Sequence, residues 1–129
     1  DCGLAAHLMG VDADRLYADP HIAGPLLETC VVGEILKQRT WSTIDVTPYH
    51  VRTHAGLEID LVLERPSGEI ACVEIKHAAQ VRAKHFRSLK SVRDHWGERF
   101  RSGIVLYNGT EVVPFGQKLS AVPVGALWG

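Results

Sequence analysis

Long apolar runs are scarce in this chain of 129 residues, and Glu34 interrupts the longest of them well short of membrane-spanning length. No transmembrane helix and no secretory signal is expected. Cysteine is also sparse. Cys2, Cys30 and Cys72 show no paired spacing of the kind a disulfide framework has. Cys30 and Cys72 lie in apolar stretches and read as core thiols, predicting a reducing, cytoplasmic setting. No G-x-x-x-x-G-K-[ST] loop is present, so ATP binding by that route is excluded. No internal repeat or low-complexity linker interrupts the chain, and no serine or cysteine has a convincing histidine partner. The chain begins at Asp1 without a methionine and reads as a piece of a longer protein.

What remains is a chain that is 46% hydrophobic with a net charge of −1. That composition predicts one domain over residues 1–129 with a real core. The charge is unevenly spread. From Lys76 to Arg101 there are eight Lys/Arg against Asp94 and Glu98, a local +6. A basic segment beside an acidic remainder suits a phosphate-rich ligand; taken alone, such a run more often marks a solvated helix face.

The pattern predicts a short helix over Gly3–Met9 and a short helix or loop over Val11–Ile22. A stronger helix follows from Gly24-Pro25 to about Gln38. Strands follow over 45–52 (an edge, because of Pro48), 57–63 and 70–76. Residues 81–96 read as a helix with Phe86, Leu89, Val92 or Arg93, and Trp96 on its inner stripe. A buried strand over 104–107 leads into Asn108-Gly109, a hairpin signal. The tail around Val122 and Leu127-Trp128 packs back on the core. The result is an α/β sandwich with a central mixed sheet, the 76-to-104 connection forming a crossover between parallel strands.

The chemistry concentrates in one hairpin. Glu58-Ile-Asp60 and Glu74-Ile-Lys76 flank a Pro66-Ser67-Gly68 turn. A turn centred on Ser67 sets Asp60 opposite Glu74, Glu58 opposite Lys76, Val62 opposite Cys72 and Glu64 opposite Ile70. Ile59, Leu61 and Leu63 then share the other face with Ala71, Val73 and Ile75. Facing carboxylates are destabilising unless a cation lies between them. Mg²⁺ or Mn²⁺ held by Asp60, Glu74 and the Ile75 carbonyl would serve, with Lys76 orienting a water and stabilising charge on phosphorus. The alternative is a structural ion-pair cluster.

That order, with D…E-x-K on consecutive strands, resembles the PD-(D/E)XK nuclease superfamily, the restriction-endonuclease-like α-β-β-β-α-β fold. Gly24-Pro-Leu-Leu-Glu28 resembles the G-x-x-x-E of archaeal Holliday-junction resolvases, in which the glutamate helps bind metal. The whole chain resembles the uncharacterised C-terminal domain of prokaryotic AAA-type ATPases. The likeness is carried by Gly33-Glu34-Ile-Leu36, Arg52-Thr-His-Ala-Gly56-Leu-Glu58-Ile-Asp60, Val73-Glu-Ile-Lys76, Gly103-Ile-Val-Leu-Tyr107 and 123–128. The resemblance implies an N-terminal ATPase domain in the same protein, DNA as substrate and Mg²⁺ or Mn²⁺ as cofactor. Two features depart from it: Ile59 replaces the frequent proline before the key aspartate, and no Q-x-x-x-Y follows the E-x-K. A non-cleaving DNA- or protein-binding module, or a homo-oligomerising one, is the alternative.

Glu28 is then a candidate for a second metal or its water, or for a pair with Arg52. Arg52 and Arg82 are candidates for gripping phosphates. Glu58 reads as support for the site or as a partner for Arg52, and Glu34 as a weaker site candidate whose structural role is favoured. His77, on the face opposite Lys76, reads as packing. Zinc on His50 and His54 is not expected. Trp41, Trp96 and Trp128 read as core or interface.

Overall fold

Asp19 starts the first long helix. Its carboxylate accepts the His21 N–H at 3.0 Å, and its carbonyl takes the first helical N–H groups. The computed structural model describes residues 13–128, so the helix expected over Gly3–Met9 lies outside the described residues. A short α1 (Ala13–Ala18) precedes α2 (Pro20–Arg39). The latter therefore begins before the expected Gly24-Pro25 start, and Pro25 falls inside it. Gly24, lacking a Cβ, spares the chain part of the clash that a proline imposes on the residue before it.

Next come β1 (Thr47–Arg52), β2 (Glu58–Glu64) and β3 (Ile70–Lys76). A 3-10 turn (Ala83–Phe86) and α3 (Arg87–Trp96) replace the single helix expected over 81–96. Then follow β4 (Phe100–Tyr107), β5 (Val113–Pro114) and β6 (Leu119–Pro123), with a closing 3-10 turn over Val124–Trp128. The six strands form one sheet in the order β1-β2-β3-β4-β6-β5. β1, β2 and β3 are antiparallel neighbours, whereas β3, β4 and β6 run parallel. The protein is thus a mixed α/β fold, with α3 in the crossover between β3 and β4. Pro48 and Pro114 sit on the two edge strands, where a missing N–H is tolerated.

Two apolar clusters form, one on each face of the sheet. Leu27, Val31, Val32 and Ile35 of α2 pack on Leu61, Val73, Ile75 and Leu106, and Val122 and Leu127 of the tail join them. On the other face Phe86, Leu89 and Val92 meet Val62, Cys72, Val105, Tyr107 and Leu119. Phe86 stacks on Phe115 with centroids 4.5 Å apart. Burying each such side chain contributes about 1.5–3 kcal/mol.

Several local expectations are corrected. Asn108-Gly109 does not close a hairpin, because β4 pairs with β6 in parallel and β5 pairs only with β6. Gly109 serves packing instead: a Cβ there would overlap the Tyr107 ring, whose hydroxyl donates to the Glu111 carbonyl. Trp41, Trp96 and Trp128 are 65%, 38% and 56% exposed and are not core residues. Cys72 is a free, buried thiol, but Cys30 is disulfide-bonded rather than a core thiol. A disulfide is uncommon in a reducing compartment, so the thiol-based expectation of such a setting is not supported. Among the described residues, no helix is long and apolar enough to cross a membrane.

Candidate functional site

The turn after β2 sets the register of the acidic hairpin. Arg65 and Glu69 close it through the Arg65 N–H to the Glu69 carbonyl at 2.9 Å. Gly68 supplies the positive φ of 90° that the last loop position requires. Val62 pairs with Cys72 and Glu64 with Ile70, as the sequence implies. The ladder ends at Leu61–Val73. Beyond it, side chains take over the backbone groups. The Ile75 N–H donates to Asp60 Oδ2 at 2.7 Å, and the Asp60 N–H donates to Glu74 Oε1 at 3.2 Å. Asp60 and Glu74 are therefore cross-linked through each other's strand.

A bulge lies behind this exchange. Against β1, Tyr49 pairs with Val62 but Val51 pairs with Ile59, so His50 alone faces both Asp60 and Leu61. The extra residue breaks the alternation. Ile59 joins the α3-side cluster while Leu61 joins the α2-side cluster, which corrects the expectation that the two share a face.

Glu74 is 6% exposed and is the buried charged side chain among the described residues. Burial and the charge of Asp60 push its carboxyl up to about 7, opposed by Lys76 and the Asp60 N–H. Lys76 Nζ lies 3.5 Å from Glu74 Oε2 and is partly exposed. Burial also raises Asp60, against the Ile75 N–H and Lys76. On α2, half-buried Glu28 is raised by burial, then by Asp60 and Glu58, and is lowered by His50 and Lys76. Glu28 thus shares the field of the hairpin from the other side of the fold. Yet among the described residues no three His, Cys, Asp or Glu side chains converge as one ion-holding group. Asp60 and Glu74 form the close pair, and Glu28 is not a third arm of it.

The donor set still fits a hard divalent cation. Mg²⁺ is commonly held by one or two carboxylates and keeps several waters. Two desolvated carboxylates with one lysine leave a charge deficit that such an ion would fill.

The other expected residues are more scattered. Arg52 is exposed and sits opposite Glu58 in the β1–β2 ladder. Arg82 is exposed at the start of the 3-10 turn, its N–H donating to His85 Nδ1 at 3.0 Å. Glu34 accepts from Gln38, which also donates to the Leu127 carbonyl, tying α2 to the tail. His77 is exposed and contacts Asn108 Oδ1 at 3.1 Å, so it is not a packing residue.

Two histidines stand nearer the site than sequence reasoning placed them. His50 Nδ1 lies 3.3 Å from the Asp60 carbonyl, and its Nε2 lies 3.7 Å from Glu58. His85 is lowered by burial and then by Lys76, which places it in the same field. Neither has a sequence signal, because only strand pairing and the crossover bring them to the hairpin.

A family model for a domain of unknown function, DUF4143, matches residues 23–127, a span that holds every side chain just described. The chain belongs to that family. No match was found among curated proteins or among solved structures.

Proposed function

We propose that this DUF4143 domain is a divalent-metal-dependent, nuclease-like domain that hydrolyses DNA phosphodiesters. In this reading the helix, three strands, helix and strand adopt the restriction-endonuclease-like arrangement. The domain is attached to an AAA-type ATPase domain of the same cytoplasmic protein. The observation that carries the proposal is the reciprocal locking of Asp60 and Glu74 at the carboxyl end of β3, with the Lys76 ammonium 3.5 Å from Glu74.

Asp60, Glu74 and the Ile75 carbonyl would hold Mg²⁺ or Mn²⁺. When bound, the ion supplies Lewis acidity and a water of lowered pKa. Lys76 would orient an attacking water toward phosphorus and balance the charge that builds on the phosphoryl oxygens. The water oxygen bonds to phosphorus as the bond to the leaving oxygen breaks; the water's proton passes to solvent and the leaving oxygen takes up another. Glu28 couples to this pair through charge, its carboxyl being raised by Asp60, and would hold a further water in this reading. Arg52 and Arg82, both exposed, grip flanking phosphates.

A non-cleaving DNA- or protein-binding module is the second reading. It is favoured by the lack of a third converging acid among the described residues. Cleavage of supercoiled plasmid and of branched DNA in Mn²⁺ or Mg²⁺ separates the two. The first reading expects cleavage of at least one of them, slowed by Lys76→Ala by on the order of 10²–10³-fold. Cleavage absent from both, or equal in the variant, overturns it.

A further inference from the structure

Under the C-terminal half of α3, the α3-side face of β1 and β2 is not fully covered. A cavity of about 620 Å³ opens there, within the range typical of ligand sites. Its floor is apolar and includes Ile59 and Val62. Three residues with planar side chains line it: Tyr49 from β1, His95 and Trp96 from α3. All three are exposed, Tyr49 at 48% and Trp96 at 38%. Ring-bearing residues are Tyr, Trp, Phe and His, and only 16 of the 129 residues are of these types. Three of them around one cavity mark it for a flat, π-bearing ligand.

The cavity also adjoins the carboxylate pair. Asp60, Glu74 and Lys76 do not line it, but β1 runs past both: Tyr49 and Val51 line the cavity, and the His50 ring between them contacts the Asp60 carbonyl at 3.3 Å. Ile59 in the floor is the chain neighbour of Asp60. Cys72 belongs to the α3-side cluster, and strand alternation puts Glu74 and Lys76 on that same face. A strand whose phosphate reached the hairpin would carry an adjacent base to the cavity mouth. A paired base is stacked and cannot enter; an unpaired one can. Polar groups are present to meet its edge: the Ser91 hydroxyl and the Glu64 carboxylate, the latter held 3.6 Å from Arg99. Arg99 also stacks 4.3 Å over the Trp96 ring and so braces that wall.

We propose that this cavity receives one unpaired nucleobase of the DNA strand, stacked on Tyr49 and Trp96. The substrates are then single-stranded, flapped or branched DNA rather than intact duplex. The proposal rests on the DNA reading above and names its substrate class.

The test uses fluorescence anisotropy in Ca²⁺ with the whole chain. The probes are a short labelled single strand, the same strand with abasic sugars, and the matching duplex. The expected result is tighter binding of the base-bearing strand than of the abasic strand, on the order of tenfold. Tyr49→Ala and Trp96→Ala each remove that preference, Trp96→Phe retains it, and abasic affinity is unchanged. Both positions lie on the exposed rim, and unchanged melting temperatures verify the fold. Equal affinity for base-bearing and abasic strands, or a preference untouched by either alanine, overturns the proposal. If nicking of duplex continues unchanged in those variants, the cavity proposal falls while the hydrolytic reading stands. If the base preference holds but no metal-dependent cleavage is seen, hydrolysis falls and the cavity stands. Absence of DNA binding in all arms overturns both.

Discussion

Replacing Glu74 by glutamine should stabilise the metal-free protein at neutral pH, although it removes a charge from the proposed site. Raising a carboxyl from 4.5 in the unfolded chain to about 7 in the fold disfavours the ionised form by about 3 kcal/mol, at about 1.4 kcal/mol per pH unit. The sign follows from proton linkage. Between those two values the folded state holds a proton that the unfolded state has released, so stability is full below 4.5 and falls as pH rises through 7. Glu74 is nearly fully buried, so solvent screening removes little of this. Glutamine keeps the shape and an oxygen for the Asp60 N–H but cannot ionise. Urea unfolding of wild type and Glu74→Gln at about pH 5 and about pH 8 should show the variant gaining roughly 2–3 kcal/mol over wild type between the two conditions. Mg²⁺ should narrow the gap by stabilising wild type alone, since an ion that binds only the folded state adds stability by mass action. Parallel pH profiles for the two proteins would refute the reasoning, because Glu74 would then be neither desolvated nor opposed by Asp60.

Burial and the charge of Glu74 push the Cys72 thiol up to about 12, so thiol reagents at about pH 8 should label it only after unfolding; rapid labelling of the native protein would contradict this. Gly109→Ala should cost about 1–3 kcal/mol in chemical denaturation, because the new methyl meets the buried Tyr107 ring. Should DNA bind, replacing Arg82, Arg87 and Lys90 together by alanine should lower the slope of log affinity against log salt by about 2–3, and an unchanged slope would move the contact away from α3.

The pairing of Val62 with Cys72 was legible because Gly68 fixes the turn and alternation fixes the faces. The crossover from β3 to β4 was legible because the intervening segment is long enough for a helix. The α2 start was misjudged because Asp19 outcompetes Gly24-Pro25 as an N-terminal signal, its carboxylate meeting a helical N–H directly. Asn108-Gly109 was misread because turn chemistry says nothing about which strand the next segment will join. His50 was missed for the same reason: its nearness to Asp60 depends on a strand pairing between residues 10 apart and on a bulge that no glycine announces.

By itself, then, the sequence determined the local grammar of this protein. It set strands and helices through side-chain period, a tight turn through one glycine, and an aspartate, a glutamate and a lysine on adjoining segments. The tertiary structure alone decided where those three groups point. The bulge opposite His50 ends the ladder at Leu61, freeing the Ile75 and Asp60 N–H groups to bind carboxylates across the hairpin. Such an exchange depends on the competition between backbone and side-chain acceptors in a buried setting. Only the packing of β1 and the two helices around β2 and β3 settles it.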